Sequence, residues 1–199
     1  MVDVRSPLEH CKSPLLVRGS TEADASPLKI RHESIGSLVQ VAGWGTAFAE
    51  AVAPLLRELG LDNVGDFKQA QKSENTVSFR VAPQRLLLWT KDSQVAPASL
   101  SELDPASAPV LDLSHSRVCV TIEGSLARDY LARLCTIDLR LQSLPIGAFA
   151  QTTIHHTAAL IFHSQTNHYV LLLPSSYAQS LWDYMALTAE PFEIIEATA

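Results

Sequence analysis

Residues 117–134 read Arg117-Val118-Cys119-Val120-Thr121-Ile122-Glu123-Gly124-Ser125-Leu126-Ala127-Arg128-Asp129-Tyr130-Leu131-Ala132-Arg133-Leu134, and a change of rhythm inside them decides the fold class. The first six are a run rich in β-branched side chains, which pack well on a pleated surface. Gly124 ends that run. From Ala127 onward the apolar residues Ala127, Tyr130, Leu131 and Leu134 fall at i, i+3, i+4 and i+7, one face of a helix. Ser125 is placed to cap it.

Working outward, Ala148 to Ile154, Ala158 to His163 and His168 to Leu173 read as further strands. Ser176-x-x-Gln179 is a capping box. The helix it announces carries Ala178, Leu181, Trp182 and Met185 at the same spacing. Pro191 to Ile195 predicts a last short strand. Strand, helix, strands, helix, strand describes an α+β two-layer sandwich in the ferredoxin-like style.

The first half repeats the theme in shorter form. Ser37-Leu38-Val39-Gln40-Val41 predicts a strand, with a turn at Gly43 and Gly45. A helix is expected from Thr46 to Leu59, stopped by Gly60, with Pro54 in a first turn or at a kink. Asn75 to Val81 and Arg85 to Thr90 predict paired strands joined by Ala82-Pro83-Gln84. Residues 92–109, rich in Ser, Ala and Pro, predict a linker or a loop with one short helix. Residues 1–33 contain Ser-Pro-Leu three times. Proline biases its predecessor to extended conformations, so this segment reads as an extended, partly apolar arm ordered by lying on another chain. The expected organisation is therefore an arm over 1–33, a first α+β subdomain over 34–108 and a second over 109–199.

Composition narrows the function. Of 199 residues 47% are hydrophobic and 18% charged, with a net charge of -6. Soluble domains average about 25% charged residues, so charge is scarce while core-forming side chains are plentiful. That excludes disorder along most of the chain and argues against a nucleic-acid partner, which calls for a basic excess. No uncharged apolar run approaches the ~20 residues of a membrane span, and Met1 to Pro7 offers no apolar core for a signal peptide. Cys11, Cys119 and Cys135 fit neither a disulfide framework nor a zinc ribbon, and suit a reducing cytoplasm. From Leu141 to Ala199 there is no Lys or Arg. Two explanations stand open: a surface that meets a partner, or buried strands plus a helix with an uncharged polar exterior.

The residues that invite chemistry do not assemble a site. Asp112, Ser114, His115 and Ser116 suggest a hydrolase, but adjacent strand residues point to opposite faces, and no G-x-S-x-G elbow occurs. His155, His156, His163 and His168 lie close in sequence, yet Leu139 to Trp182 contains no Asp or Glu to complete a metal site. They read as histidines on strand edges or at an interface. Gly43-x-Gly45 is too short for a phosphate loop, with Trp44 between the glycines. No catalytic, cofactor-binding or metal-ligating residue is therefore assigned.

Asp112-Leu113-Ser114-His115-Ser116-Arg117, Glu123-Gly124, Leu131 to Leu134 and Cys135-Thr136-Ile137-Asp138-Leu139 form an ordered set of motifs. Gly147-Ala148-Phe149-Ala150-Gln151-Thr152, Leu173-Pro174-Ser175-Ser176-Tyr177-Ala178 and Leu181-Trp182 continue it. Together they resemble the gamma subunit of heterotetrameric sarcosine oxidase over residues 108–186. That family is in turn similar to the folate-binding aminomethyltransferases, the T-protein of glycine cleavage. Their catalytic acid sits in a Gly-Gly-x-x-Asp-Asp turn, where this sequence reads Ile154-His155-His156-Thr157-Ala158-Ala159-Leu160. Alanine there cannot relay a proton.

The resemblance implies a non-catalytic structural subunit of a cytoplasmic complex, an oxidoreductase acting on CH-NH donors with oxygen as acceptor. That complex demethylates sarcosine to glycine and, with tetrahydrofolate, forms hydrogen peroxide and methylenetetrahydrofolate. FAD, FMN, NAD and the tetrahydrofolate site are expected on other subunits, with the alpha subunit as chief partner. The alternative is a free-standing folate-binding or one-carbon transfer protein, with a carboxylate such as Asp138 or Glu123 reaching its pocket.

Overall fold

A computed structural model describes residues 6–11, 15–17, 27–45, 47–91, 98–192 and 194–196. In chain order the strands and helices are β1 (Leu15–Val17), β2 (Lys29–Glu33), β3 (Ser37–Ala42), α1 (Ala47–Glu58), β4 (Gln71–Lys72), β5 (Thr76–Ala82), β6 (Arg85–Thr90), β7 (Val110–Asp112), β8 (Arg117–Glu123), α2 (Ala127–Leu134), β9 (Phe149–Ile154), β10 (Thr157–Gln165), β11 (His168–Pro174), α3 (Ala178–Ala189) and β12 (Ile194–Glu196). They form two compact units. Residues 35–115 make the smaller, and residues 1–34 with 116–199 make the larger.

The larger unit is a seven-stranded sheet in the order β12-β1-β2-β8-β11-β10-β9, every neighbouring pair antiparallel. The helical pattern read from the sequence is the one that packs. Ala127, Tyr130, Leu131 and Leu134 of α2, and Ala178, Leu181, Trp182 and Met185 of α3, join one core with Val118, Val120, Ile122, Leu171 and Leu173. The Tyr130 hydroxyl donates to the Met185 carbonyl at 2.7 Å, joining the two helices through a buried bond. Leu160, Phe162, Val170 and Leu172, on the alternate positions of β10 and β11, are buried as well. Both sheet faces are thus shielded there, which explains the uninterrupted apolar run Val170 to Leu173 and much of the missing charge after Leu141.

The smaller unit has five strands in the order β4-β5-β6-β3-β7. Its core joins Phe48, Val52, Leu55 and Leu56 of α1 to Val41, Leu86 and Leu88.

The α+β class holds, and the ferredoxin-like order is embellished in the same way in both units. Each contains the run strand, helix, edge strand, hairpin, and the run's first strand pairs with the hairpin's second arm. In the smaller unit Phe79 pairs Leu87, Arg80 pairs Leu86 and, after a one-residue bulge, Ala82 pairs Arg85. In the larger, Phe162 pairs Val170, His163 pairs Tyr169 and, after a bulge at the same place, Gln165 pairs His168. Gly43 N–H donates to Gln84 O at 2.9 Å, and Gly124 N–H to Asn167 O at 3.0 Å. Arg80 donates to Gly65 O at 3.0 Å and His163 Nδ1–H to Leu144 O at 2.9 Å, each pinning the loop that follows its unit's first helix. Register, bulge, glycine and loop anchor coincide, so the two units share this strand–helix–strand–hairpin run.

Several expectations need correction. The described parts of the expected arm over 1–33, residues 6–11, 15–17 and 27–33, are built into the larger unit. β2 lies between β1 and β8, and Leu8, Leu15, Leu28 and Ile30 belong to the larger unit's core. Its strand was hidden because Lys29-Ile30-Arg31-His32-Glu33 is mostly polar. The expected boundary at 108/109 moves to 115/116, because β7 pairs with β3 and so belongs to the smaller unit. Ser125 does not cap α2; the N-cap position is Leu126, without a side-chain bond. The capping box at Ser176 does not form either, since Ser175–Tyr177 is a 3-10 turn and α3 starts at Ala178. Gln179 bonds Asp183 instead, at 2.9 Å. Of the two places expected for Pro54, the first turn is excluded, since it lies inside α1. Of residues 92–109, a one-turn 3-10 segment forms at Ala98–Leu100, and 92–97 lie outside the described residues.

Candidate functional site

The Asp112 to Ser116 stretch is built to end a strand. Ser114 N–H donates to Asp112 Oδ1 at 2.8 Å, and the Ser114 hydroxyl accepts from Leu38 N–H at 3.0 Å. Hydrogen bonds from Ser114 hold the Asp112 carboxyl below its usual range. Serine and carboxylate are therefore spent on each other and on β3.

The four histidines do not converge. His155 and His156 form the tight β9–β10 turn with φ of 46° and 65°, the left-handed conformation that a two-residue turn of this type demands at both positions. The His155 ring stacks on Tyr184 at 4.4 Å. His163 is buried, anchored to Leu144 O and stacked on Tyr169 at 4.4 Å. Among the described residues no group of three His, Cys, Asp or Glu side chains is disposed to hold a metal.

His168 belongs to the densest polar array in the larger unit, one that the sequence reading did not pair. Lys29 and Arg31 of β2 reach Glu123 of β8 at 3.4 and 3.1 Å. Glu33 accepts from Thr121 at 3.1 Å. His168 Nε2 lies 3.8 Å from Glu123, and His168 Nδ1 lies 2.5 Å from the Ser164 hydroxyl. Serine, imidazole and carboxylate thus stand in line. The signal was a Ser-x-x-x-His spacing across a two-residue hairpin turn, which places both side chains on one edge.

The order is that of a nucleophile, base and acid, but the partners are those of a structural network. Glu123 is shared by two cations, and the Ser164 hydroxyl also lies 3.2 Å from the His168 carbonyl. Such half-exposed pairs contribute about 0–1 kcal/mol each. Their role is to fix β2, β8 and the β10–β11 turn in register.

Asp138, the other carboxylate the alternative reading requires, is also committed. Arg140 donates to both of its oxygens, with distances of 2.6 to 3.0 Å, and Ser143 donates at 2.6 Å. Those bonds, the guanidinium first, hold its carboxyl well below the usual range. It is ionised and occupied, which suits loop closure rather than proton transfer.

The two strand-to-helix turns test whether a dinucleotide could seat on this chain. A Cβ at Gly43 would press on the Phe48 ring and the Ser107 carbonyl, and one at Gly124 would collide with the Pro27 carbonyl. The space over each glycine is filled by protein, so neither turn is a phosphate cradle.

No protein-family profile matches this sequence, and no curated protein matches it. Solved structures do. A chain of heterotetrameric sarcosine oxidase from Corynebacterium sp. U-96 superposes with a TM-score of 0.79 at 19% identity, covering 98% of this chain and 98% of that one. Glycine cleavage system aminomethyltransferase T from Bartonella henselae superposes with a TM-score of 0.55 at 18% identity, covering 78% of this chain and 44% of that one. The fold is therefore that of the sarcosine oxidase chain from end to end. It corresponds to less than half of the aminomethyltransferase.

Proposed function

We propose that the chain is a non-catalytic structural subunit of a sarcosine oxidase complex, one that demethylates sarcosine to glycine with oxygen and tetrahydrofolate and releases hydrogen peroxide and methylenetetrahydrofolate. FAD, FMN, NAD and the folate site belong, in this reading, to other subunits, and the alpha subunit is the chief partner. The observation that carries it is the end-to-end likeness to a chain of a heterotetrameric enzyme, with 98% of each chain covered. Among the described residues no helix is long and apolar enough to cross a membrane. Cys11, Cys119 and Cys135 are free thiols, which fits a cytoplasmic location.

The alternative, a free-standing folate-binding transferase, asks for a carboxylate open to substrate. Glu123 and Asp138 are both held by cations. The chain spans 44% of the aminomethyltransferase it matches.

Calorimetric titration of the isolated full chain with tetrahydrofolate and with FAD tests the assignment. The expected result is no saturable heat for either. Saturable binding of one of them would remove the structural-subunit reading and leave the alternative.

A further inference from the structure

The repeated topology makes a position-by-position comparison of the two cores possible, and it isolates one difference. In the larger unit the helix side of the sheet carries Val118 opposite Leu173, then Val120 opposite Leu171 opposite Ile161. Ala159 completes the first row, next along β10. All six are buried and apolar.

The same rows in the smaller unit are Ser37, Thr90 and Thr76, then Val39, Leu88 and Ser78. Four hydroxyls replace four hydrocarbon side chains. Thr76, Ser78 and Thr90 are only 3%, 3% and 7% exposed.

The roof differs as well. Where the chain order of the larger unit supplies α3, the smaller has the single turn Ala98–Leu100, tied down by Glu58, which accepts from Ser99 N–H at 3.0 Å. Beneath it a cleft of about 240 Å³, counted out to open solvent, is floored by Ser37, Thr76 and Thr90 and roofed by Leu59 and Leu100.

Thr76 and Thr90 bond each other at 3.0 Å, leaving further donor and acceptor capacity on each. The Ser78 hydroxyl, on the same face one row along, has no hydrogen-bond partner among the described residues. Ser78 does not line the cleft; the spare hydrogen-bonding capacity there belongs to Ser37, Thr76 and Thr90, and a water with two to four polar neighbours satisfies it.

We propose that this cleft is a hydration site built into the smaller unit, holding one ordered water against the hydroxyls of Ser37, Thr76 and Thr90. No charged side chain lines the cleft, so the guest is neutral; the cleft's 240 Å³ includes open solvent, and the part enclosed against the hydroxyls admits a molecule of water's size. The site replaces the packing that a second helix provides in the larger unit. It stands independently of the proposed function.

Two experiments on the full chain test it. A crystal structure at a resolution that shows ordered water is expected to place one peak within hydrogen-bond distance of at least two of these three hydroxyls. A cleft with no density overturns the proposal. In solution, oxygen-17 relaxation dispersion is expected to lose one long-lived water in Thr90→Val relative to the unsubstituted chain, with circular dichroism confirming the fold. Equal dispersion amplitude in the two proteins overturns it. Should Thr90→Val not fold, the crystal structure of the unsubstituted chain still decides.

Discussion

Replacing Ile30 by alanine in the isolated chain separates two descriptions of the N-terminal segment. As an arm lying on a partner, residues 1–33 would contribute nothing to the chain's own stability. As observed, Ile30 is 1% exposed, pairs with Ile122 and belongs to the core that also holds Leu28, Val120 and Tyr130. Truncating a buried Ile to Ala costs about 2–5 kcal/mol. A side chain this enclosed, in a strand flanked on both sides, belongs near the middle, at ~3 kcal/mol. For a chain of this length each kcal/mol moves the midpoint by about 2–4 °C, so Tm should fall by about 6–12 °C. Lys29→Ala, next along β2 and carrying a half-exposed pair to Glu123 at 3.4 Å, is the control and should cost about 0–1 kcal/mol. Thermal unfolding followed by far-ultraviolet circular dichroism reads both. An Ile30→Ala midpoint indistinguishable from the parent's would refute the placement of β2 in the core. Removing residues 1–33 altogether should destabilise the larger unit by more than Ile30→Ala does, because β8 keeps β11 but loses β2, and the core loses Leu8, Leu15, Leu28 and Ile30.

Four further outcomes are expected. His156→Gly should raise stability by about 0.5–1 kcal/mol in urea denaturation, because a residue at φ 65° in a two-residue turn is relieved of its Cβ. Tyr130→Phe should cost about 1–2 kcal/mol by the same assay, leaving the buried Met185 carbonyl without its 2.7 Å partner. Gly124→Ala should destabilise more than Gly45→Ala. A methyl at 124 collides with Pro27, whereas one at 45 meets nothing within 4 Å and pays only for its φ of +66°. Asp138→Asn should show a signed pH dependence. The depressed folded-state carboxyl contributes stability that is present above the unfolded value, about 3.9, and is lost as pH falls through the lower folded value. The difference between parent and Asp138→Asn should therefore be constant from about pH 7 to 5 and shrink below about pH 4.

The elements that could be read from the sequence are those whose packing face is written in residue type. Ala127, Tyr130, Leu131 and Leu134 alternate as a helix must, and Arg85 to Thr90 with its Ala82-Pro83-Gln84 turn gives a hairpin almost to the residue. What escaped is instructive. β2 is buried only at Ile30, while Lys29, Arg31 and Glu33 pair with Glu123 and Thr121 on β8, partners 88 or more residues away. β7 is a three-residue edge strand whose side chains are all exposed, so no pattern marks it. The capping motifs failed because Gly124 and the turn at Ser175–Tyr177 set the helix entries by backbone alone. The repeated order of elements was legible in outline but its register was not: the equivalent positions are Arg80 and His163, or Ser37 and Val118, which share no chemistry. The Ser164, His168 and Glu123 array shows the reverse case, a catalytic-looking order whose members are held by their neighbours.

The most direct test of the central claim is to purify the assembly through a tag on this chain from its native cells and assay the assembly itself. The account predicts a flavin-containing complex with this chain in fixed stoichiometry that forms hydrogen peroxide when sarcosine is added. Recovery of the chain as a lone monomer, or of an assembly inert toward sarcosine, would contradict it.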